Sequence, residues 1–332
     1  MSLVQLFYLH FLAPVRVGAG GADATAAARD FPSDTLSAAL VIAAAELGGE
    51  RVPPDELAAL AREPPWIVSS LLPWVGLSGR PVRFVPRPVD RHLGERGRDE
   101  PYRDVAYVSL GLLKAPGARP VVSRCGALAA TQEEAGDELA RVSWQRLAAR
   151  GSVTIDRVTG AGRVHHAEEL AMGMGENAGA WLAVRADAMA DIDFVRVLLG
   201  HLADSGIGAD RARGLGRFEV VRSALELLDE AEEPDRLRLL LGYASPDAVL
   251  EEALQDRRAR YAVARRGGLA HGLGGGLGVR RRSLRLLGPG SVIPDRGAAV
   301  GVTRDVTPEG FEAHRIWRDG RTLALPLTGR GL

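Results

Sequence analysis

Residues 206–217 read Gly-Ile-Gly-Ala-Asp-Arg-Ala-Arg-Gly-Leu-Gly-Arg, four glycines and three arginines in twelve positions. Glycine weakens helix and strand interiors, so this stretch is a loop, and its flanks constrain the fold. Before it, Val195, Leu198, Leu199 and Leu202 recur on one helical face. After it, Phe218-Glu-Val-Val221 reads as a strand, and upstream Ala180 to Arg185 reads as another. Strand, helix, glycine loop and strand predict a βαβ-type sandwich.

The start of the chain follows a comparable order. Leu3 to Val15 is apolar on both faces, which predicts a buried strand running into the glycines at 18, 20 and 21. In Phe31-Pro-Ser-Asp-Thr-Leu36, a Ser or Asp oxygen is expected to accept from the first helical amides. Leu36, Leu40, Ala43 and Leu47 then share a face before Gly48-Gly49 ends the helix. Two such halves predict an α+β chain of two ferredoxin-like domains with glycine-rich loops. The change of pattern near Arg150-Gly151 puts the boundary there, giving domains 1–149 and 150–332. The proline-rich stretch 53–88 is expected to pack as ordered loop over the first core, and 91–103 as a solvated loop tip.

Charge narrows the partners. Forty-two Lys plus Arg balance 42 Asp plus Glu, so net charge alone selects neither nucleic acid nor an anionic membrane. Lys114 is the only lysine, and it sits in Leu-Leu-Lys-Ala, which excludes the Gly-Lys-Ser/Thr of a P-loop. Cys125 is the only cysteine, so no internal disulfide or thiolate zinc cluster can form. A reducing, cytoplasmic setting is expected, with no membrane partner: the apolar start lacks a preceding basic residue, and no other stretch reads as a spanning helix.

Local charge points to a polyanion. Residues 257–285 hold nine arginines and no acid, against an acidic run from Glu226 to Asp235. The glycine-rich stretch 267–278 between those arginines is expected to be irregular and to order on nucleic acid. In the 206–217 loop, glycines permit positive φ, leaving amides and guanidinium groups to face phosphates. A dinucleotide site is not indicated: Gly206-x-Gly208 leads to Arg211, Gly214-x-Gly216 leads to Glu219, and the loop follows a helix.

Catalytic alternatives are thinner. His165-His166 with Glu168-Glu169 lacks the spacing of a zinc helix, and the Gly20-Gly21-Ala-Asp23 turn offers one carboxylate where two-metal chemistry uses two. No Gly-x-Ser-x-Gly elbow occurs. Residues 213–220 approach an RNA-recognition strand, but Leu215 and Arg217 stand where aromatics would stack bases. Neither metal nor cofactor is expected.

Four segments in order carry a family resemblance: Ser33 to Leu40, Ile155-Asp-Arg157 with Thr159-Gly160, Gly206 to Phe218, and Gly290-Ser-Val292. Together they resemble the fourth subunit of the Csm complex, the type III-A CRISPR effector, within the RAMP superfamily. The resemblance implies two RRM-like domains and a non-catalytic role in antiviral defence, holding the 5′ repeat-derived tag of the guide RNA. Implied partners are that RNA, the large cyclase and nuclease subunit, a backbone RAMP subunit and, indirectly, target RNA. By position, Ser33, Asp34, Thr35, Arg157, Gly206, Gly208, Arg211, Arg213, Gly214, Gly216 and Arg217 are implied to face the tag. Arg265, Arg266, Arg281 and Arg282 are implied to lie beside it. The sister subunit of type III-B complexes and a RAMP endoribonuclease are the rival readings. The endoribonuclease calls for a histidine near the first helix, and none lies between His10 and His92.

Overall fold

The computed structural model describes residues 2–18, 26–89, 91–93, 102–115, 117–228, 236–270 and 279–327. Strand β1 (Ser2–Phe11) is buried without interruption from Val4 to Leu9. Such a strand needs cover on both faces. The chain continues through α1 (Ser33–Gly48), β2 (Leu72–Leu77) and β3 (Arg80–Pro86). A hairpin of β4 (Gln145–Ile155) and β5 (Gly162–Met172) follows, then β6 (Ala178–Ala186), α2 (Met189–Ser205) and β7 (Phe218–Leu228). β1 lies between β6 and β7, and β6 pairs on its other side with β2, all antiparallel. Strands β1, β2, β6 and β7 thus follow a βαββαβ path in spatial order 4-1-3-2, the ferredoxin-like arrangement.

The C-terminal unit holds β8 (Leu237–Leu240), α3 (Ala248–Ala253), the pair β9 (Val263–Arg266) and β10 (Leu284–Leu287), β11 (Val292–Pro294) and β12 (Thr322–Leu327). Strands β11, β8 and β12 form a sheet with Ala299–Val300 at its edge. Leu240, Ala244, Leu250, Leu287 and Ile293 make a small core of their own, whereas Leu239, Leu241, Val292 and Leu323 join the main core. The double cover of β1 follows. Leu36, Leu40 and Ala43 of α1 and Val195, Leu198, Leu199 and Leu202 of α2 are buried beside the large sheet. A cavity of about 80 Å³ separates Val4, Leu6, Trp181 and Ala183 of that sheet from Leu241, Leu323 and Leu325 of the C-terminal unit.

Three expectations are corrected. A division at 149/150 would cut β4 and part β1 from both of its neighbours. The strand-helix-loop-strand order of 178–221 is the second half of the first sheet: a βαβ half cannot bury its own strands, and β1 completes them. The stretch 53–88 is not loop, since it holds a helix (Pro54–Arg62), a short strand (Trp66–Val68), β2 and β3. Its prolines sit where a missing N–H costs little. Pro54 opens its helix, and at Pro73 β2 pairs only with β6, its ladder with β3 beginning at Trp74. Finally, α1 starts without a side-chain cap, because Pro32, which has no side-chain acceptor, holds the cap position, and Ser33 and Asp34 bond elsewhere. Gly49 ends that helix with φ 54°, as expected. Among the described residues no helix is long and apolar enough to cross a membrane.

Candidate nucleic-acid interface

All four loop glycines take positive φ, at 82° for Gly206, 88° for Gly208, 82° for Gly214 and 74° for Gly216. The reason is internal for three of them. A Cβ on Gly216 would lie 2.0 Å from the Ile207 carbonyl oxygen, one on Gly206 2.2 Å from that of Leu215, and one on Gly208 2.5 Å from that of Arg16. A Cβ on Gly214 would meet nothing within 4 Å. The amides of Ile207, Ala209 and Gly216 donate to the carbonyls of Gly216, Arg16 and Pro14 at 3.1, 2.8 and 2.8 Å. The expected amide cradle is therefore corrected: these N–H groups close the loop on itself and on residues 14–16. Guanidinium groups remain for an anion.

Those groups differ in their commitments. Arg211 pairs with Glu46 in the last turn of α1, and His201 Nε2 lies 2.7 Å from the same carboxylate. The Arg211 hydrogen bond, outweighing the opposing effect of burial, holds the Glu46 carboxyl below its ordinary range. Arg213 donates through Nη2 to Ser152 Oγ at 2.8 Å. Arg217 is exposed, with its carbonyl accepting from Leu12 N at 2.9 Å.

Ser152 belongs to the β4–β5 hairpin, in which every residue from Val153 to His166 is exposed. Arg157 stands in its turn, which is closed by Asp156 Oδ1 accepting from the amides of Val158 and Thr159 at 2.8 and 3.1 Å. Opposite pairs in the ladder are Ser152 with His165 and Thr154 with Arg163. By strand alternation these share the face that Arg213 meets, while Val153 and Val164 share the other.

The basic segment 257–285 is more regular than expected. β9 and β10 pair antiparallel, Leu269–Ala270 pairs with Val279–Arg280, and the glycine run 272–278 lies outside the described residues. Arg265 sits directly opposite Arg285. Like charges in that register repel, and among the described residues neither these two nor Arg280 makes an ion pair. Arg282 is likewise exposed.

Arg266 points the other way and is buried. Its Nη2 donates to Asp34 Oδ1 at 3.1 Å and to Thr35 Oγ1 at 2.9 Å, and its guanidinium lies 5.1 Å from the Tyr243 ring centre. Arg318 donates to the other Asp34 oxygen through Nη1 and to the Gly267 carbonyl through Nη2. Ser33 Oγ accepts from Tyr243 N at 2.9 Å, and the Tyr243 hydroxyl donates to Asp30 Oδ2 at 2.8 Å. Burial raises the Asp30 carboxyl above its ordinary range. Burial, then neighbouring Arg318, pushes Arg281 down to about 10.

The residues implied to face RNA thus fall into two groups, at opposite ends of α1. Ser33, Asp34, Thr35, Arg266 and Arg281 gather at its start. The glycine loop gathers near Glu46 and touches the hairpin that carries Arg157. Twelve residues of helix separate Asp34 from Glu46, about 18 Å. The oxygens of Ser33, Asp34 and Thr35 are occupied by the C-terminal unit, which leaves Arg157, Arg217, Arg265 and Arg282 as exposed cations. Arg318, Tyr243 and Ser152 escaped the sequence reading. Arg318 meets Asp34 across 284 positions, a separation that no periodicity reports.

Residues 233–327 match the family model of the CRISPR Csm4 C-terminal domain. The match begins just beyond β7, in keeping with the boundary drawn by the strand pairing. No curated protein matches the chain. Among solved structures, a chain of the type III-B Cmr-beta complex bound to cognate target RNA and AMPPnP is 14% identical, with 88% of this chain and 85% of that one covered at a TM-score of 0.48. A chain of the same complex bound to cognate target RNA is 15% identical, covering 88% and 86% at 0.42. The C-terminal unit is thus similar to the C-terminal domain of CRISPR Csm4.

Proposed function

We propose that the chain is a non-catalytic, RNA-binding subunit of a type III-A interference complex, holding the 5′ repeat-derived tag of the guide RNA. In this reading it bridges the large cyclase and nuclease subunit to the backbone RAMP subunits and meets target RNA only through the assembled complex. The observation that supports it most is the Arg265–Arg285 register. Two cations held face to face in a two-stranded ladder, inside a Csm4-type domain, gain a reason once a phosphate backbone lies across them. The exposed Arg157 and Arg217 supply further contacts of the same sort.

Co-expression tests it. The tagged chain, produced with the remaining subunits and a repeat array, should retain guide RNAs beginning with the repeat-derived tag. The isolated chain should leave repeat RNA intact. Specific metal-independent cleavage of repeat RNA by the isolated chain, abolished by one substitution, would instead favour an endoribonuclease.

A further inference from the structure

We propose that Arg281, Arg318 and Arg266, clustered where α1 meets the C-terminal unit, form a binding site for one phosphate group. Two guanidinium groups bond a single carboxylate, and Arg281 lies beside them against the Gly267–Gly268 backbone that Arg318 also meets. Asp34 serves Arg266 and Arg318, while the side chain of Arg281 makes no hydrogen bond or ion pair among the described residues. Asp30, the other acid at the site, is engaged by the Tyr243 hydroxyl. Even with both acids ionised, one positive charge is left over.

The unmet bonding is specific. Nε of Arg281 and Nε of Arg318 are both buried and both lack an acceptor. A buried donor without an acceptor is destabilising, and a buried cation without a counter-charge more so. A phosphate oxygen supplies both the acceptor and the charge, and the planar guanidinium fork suits phosphate geometry. Gly267 and Gly268 let the backbone approach these guanidinium groups closely, Gly267 accepting from Arg318 through its carbonyl. A Cβ on Gly268 would come within 3.1 Å of Arg281 Nη2.

The site itself stands on this geometry. Only the source of the phosphate, an RNA backbone rather than the free ion, rests on the proposed function. Arg281 thereby becomes the member of the basic segment that orders on a ligand, and Arg318 joins it although it lies outside that segment.

Thermal unfolding of the full chain in sodium phosphate and in sodium chloride, matched in ionic strength, tests the site. Phosphate should raise Tm progressively above the chloride value. Arg281→Gln should abolish that rise, and in phosphate-free buffer it should melt no earlier than the parent, since it removes an uncompensated half-buried cation whose Nε is buried. No phosphate-specific rise in the parent, or an equal rise in the variant, overturns the proposal. Should the variant fail to accumulate, the parent titration decides alone. The source is read separately, from the affinity for a single-stranded repeat-derived RNA at fixed salt. An approximately tenfold loss in Arg281→Gln, the size expected for one charged hydrogen bond, assigns an RNA phosphodiester. Unchanged RNA affinity alongside a lost phosphate effect keeps the site and assigns it the free ion.

Discussion

Asp34 Oδ1, in the first turn of α1, lies 3.1 Å from Nη2 of Arg266, and both side chains are buried. The pair ties the ferredoxin-like sheet's first helix to a strand 232 positions later. Arg318 completes the carboxylate's bonding from a third element. Removing the carboxylate leaves two guanidinium groups buried without it. Asp34→Ala should therefore destabilise the chain by about 3–5 kcal/mol, read as a shift in the denaturant midpoint. A loss below about 1 kcal/mol would mean that water reaches the cluster.

Glu46 makes the opposite case, being one-third exposed at the other end of the same helix. Its carboxyl is held low in the folded state, chiefly by Arg211. A depressed carboxylate contributes stability above its unfolded value, about 4.3, and loses it as pH falls through the folded value. Glu46→Gln should cost less than about 1 kcal/mol at pH 7, after allowance for solvent screening. The gap between parent and variant melting curves should be smaller at pH 3 than at pH 7. An equal gap at both pH values would show that packing, not charge, is lost.

Gly216 and Gly214 separate two uses of glycine in one loop. Gly216→Val drives a side chain against the Ile207 backbone at positive φ, so it should lower Tm sharply or prevent accumulation. Gly214→Ala meets open space and bears only the cost of its φ, about 1–2 kcal/mol. Equal melting of the two variants would contradict the backbone contacts described for Gly216.

Arg213 holds the β4–β5 hairpin through Ser152. Arg213→Ala should leave global stability within about 0.5 kcal/mol, as for most surface changes, while hydrogen exchange quickens in β4 and β5. Unchanged exchange there would show that the hairpin is held by its base alone.

Much of the fold was legible because its signals are local. The apolar run of β1, the spacing of Leu36, Leu40 and Ala43, and that of Val195, Leu198, Leu199 and Leu202 each report burial directly. What escaped was non-local. A strand cannot announce that its partners are β6 and β7, 171–181 and 207–226 positions away, so the halves of one sheet read as two domains. Prolines at strand and helix ends look like breakers until the ladders around them are known. The site divides in the same way. The positive φ of the loop glycines follows from their number and spacing, but whether their amides face a ligand or residues 14–16 depends on where the chain returns. Arg265 and Arg266 are neighbours in sequence and opposites in structure, one exposed and one buried against Asp34.

The salt dependence of RNA binding tests the central claim most directly. Binding of a single-stranded repeat-derived RNA, measured across salt concentrations, should give a linear fall of log affinity with log salt. Each phosphate contact removed should reduce the slope by about 0.7. Replacing exposed Arg265 and Arg285 by alanine should lower the slope by about 1.4, twice the single-contact step, with Tm unchanged or raised as their repulsion is relieved. Absence of RNA binding by the parent, or a slope that stays the same in the double variant, would contradict an RNA-holding role for this face of the protein.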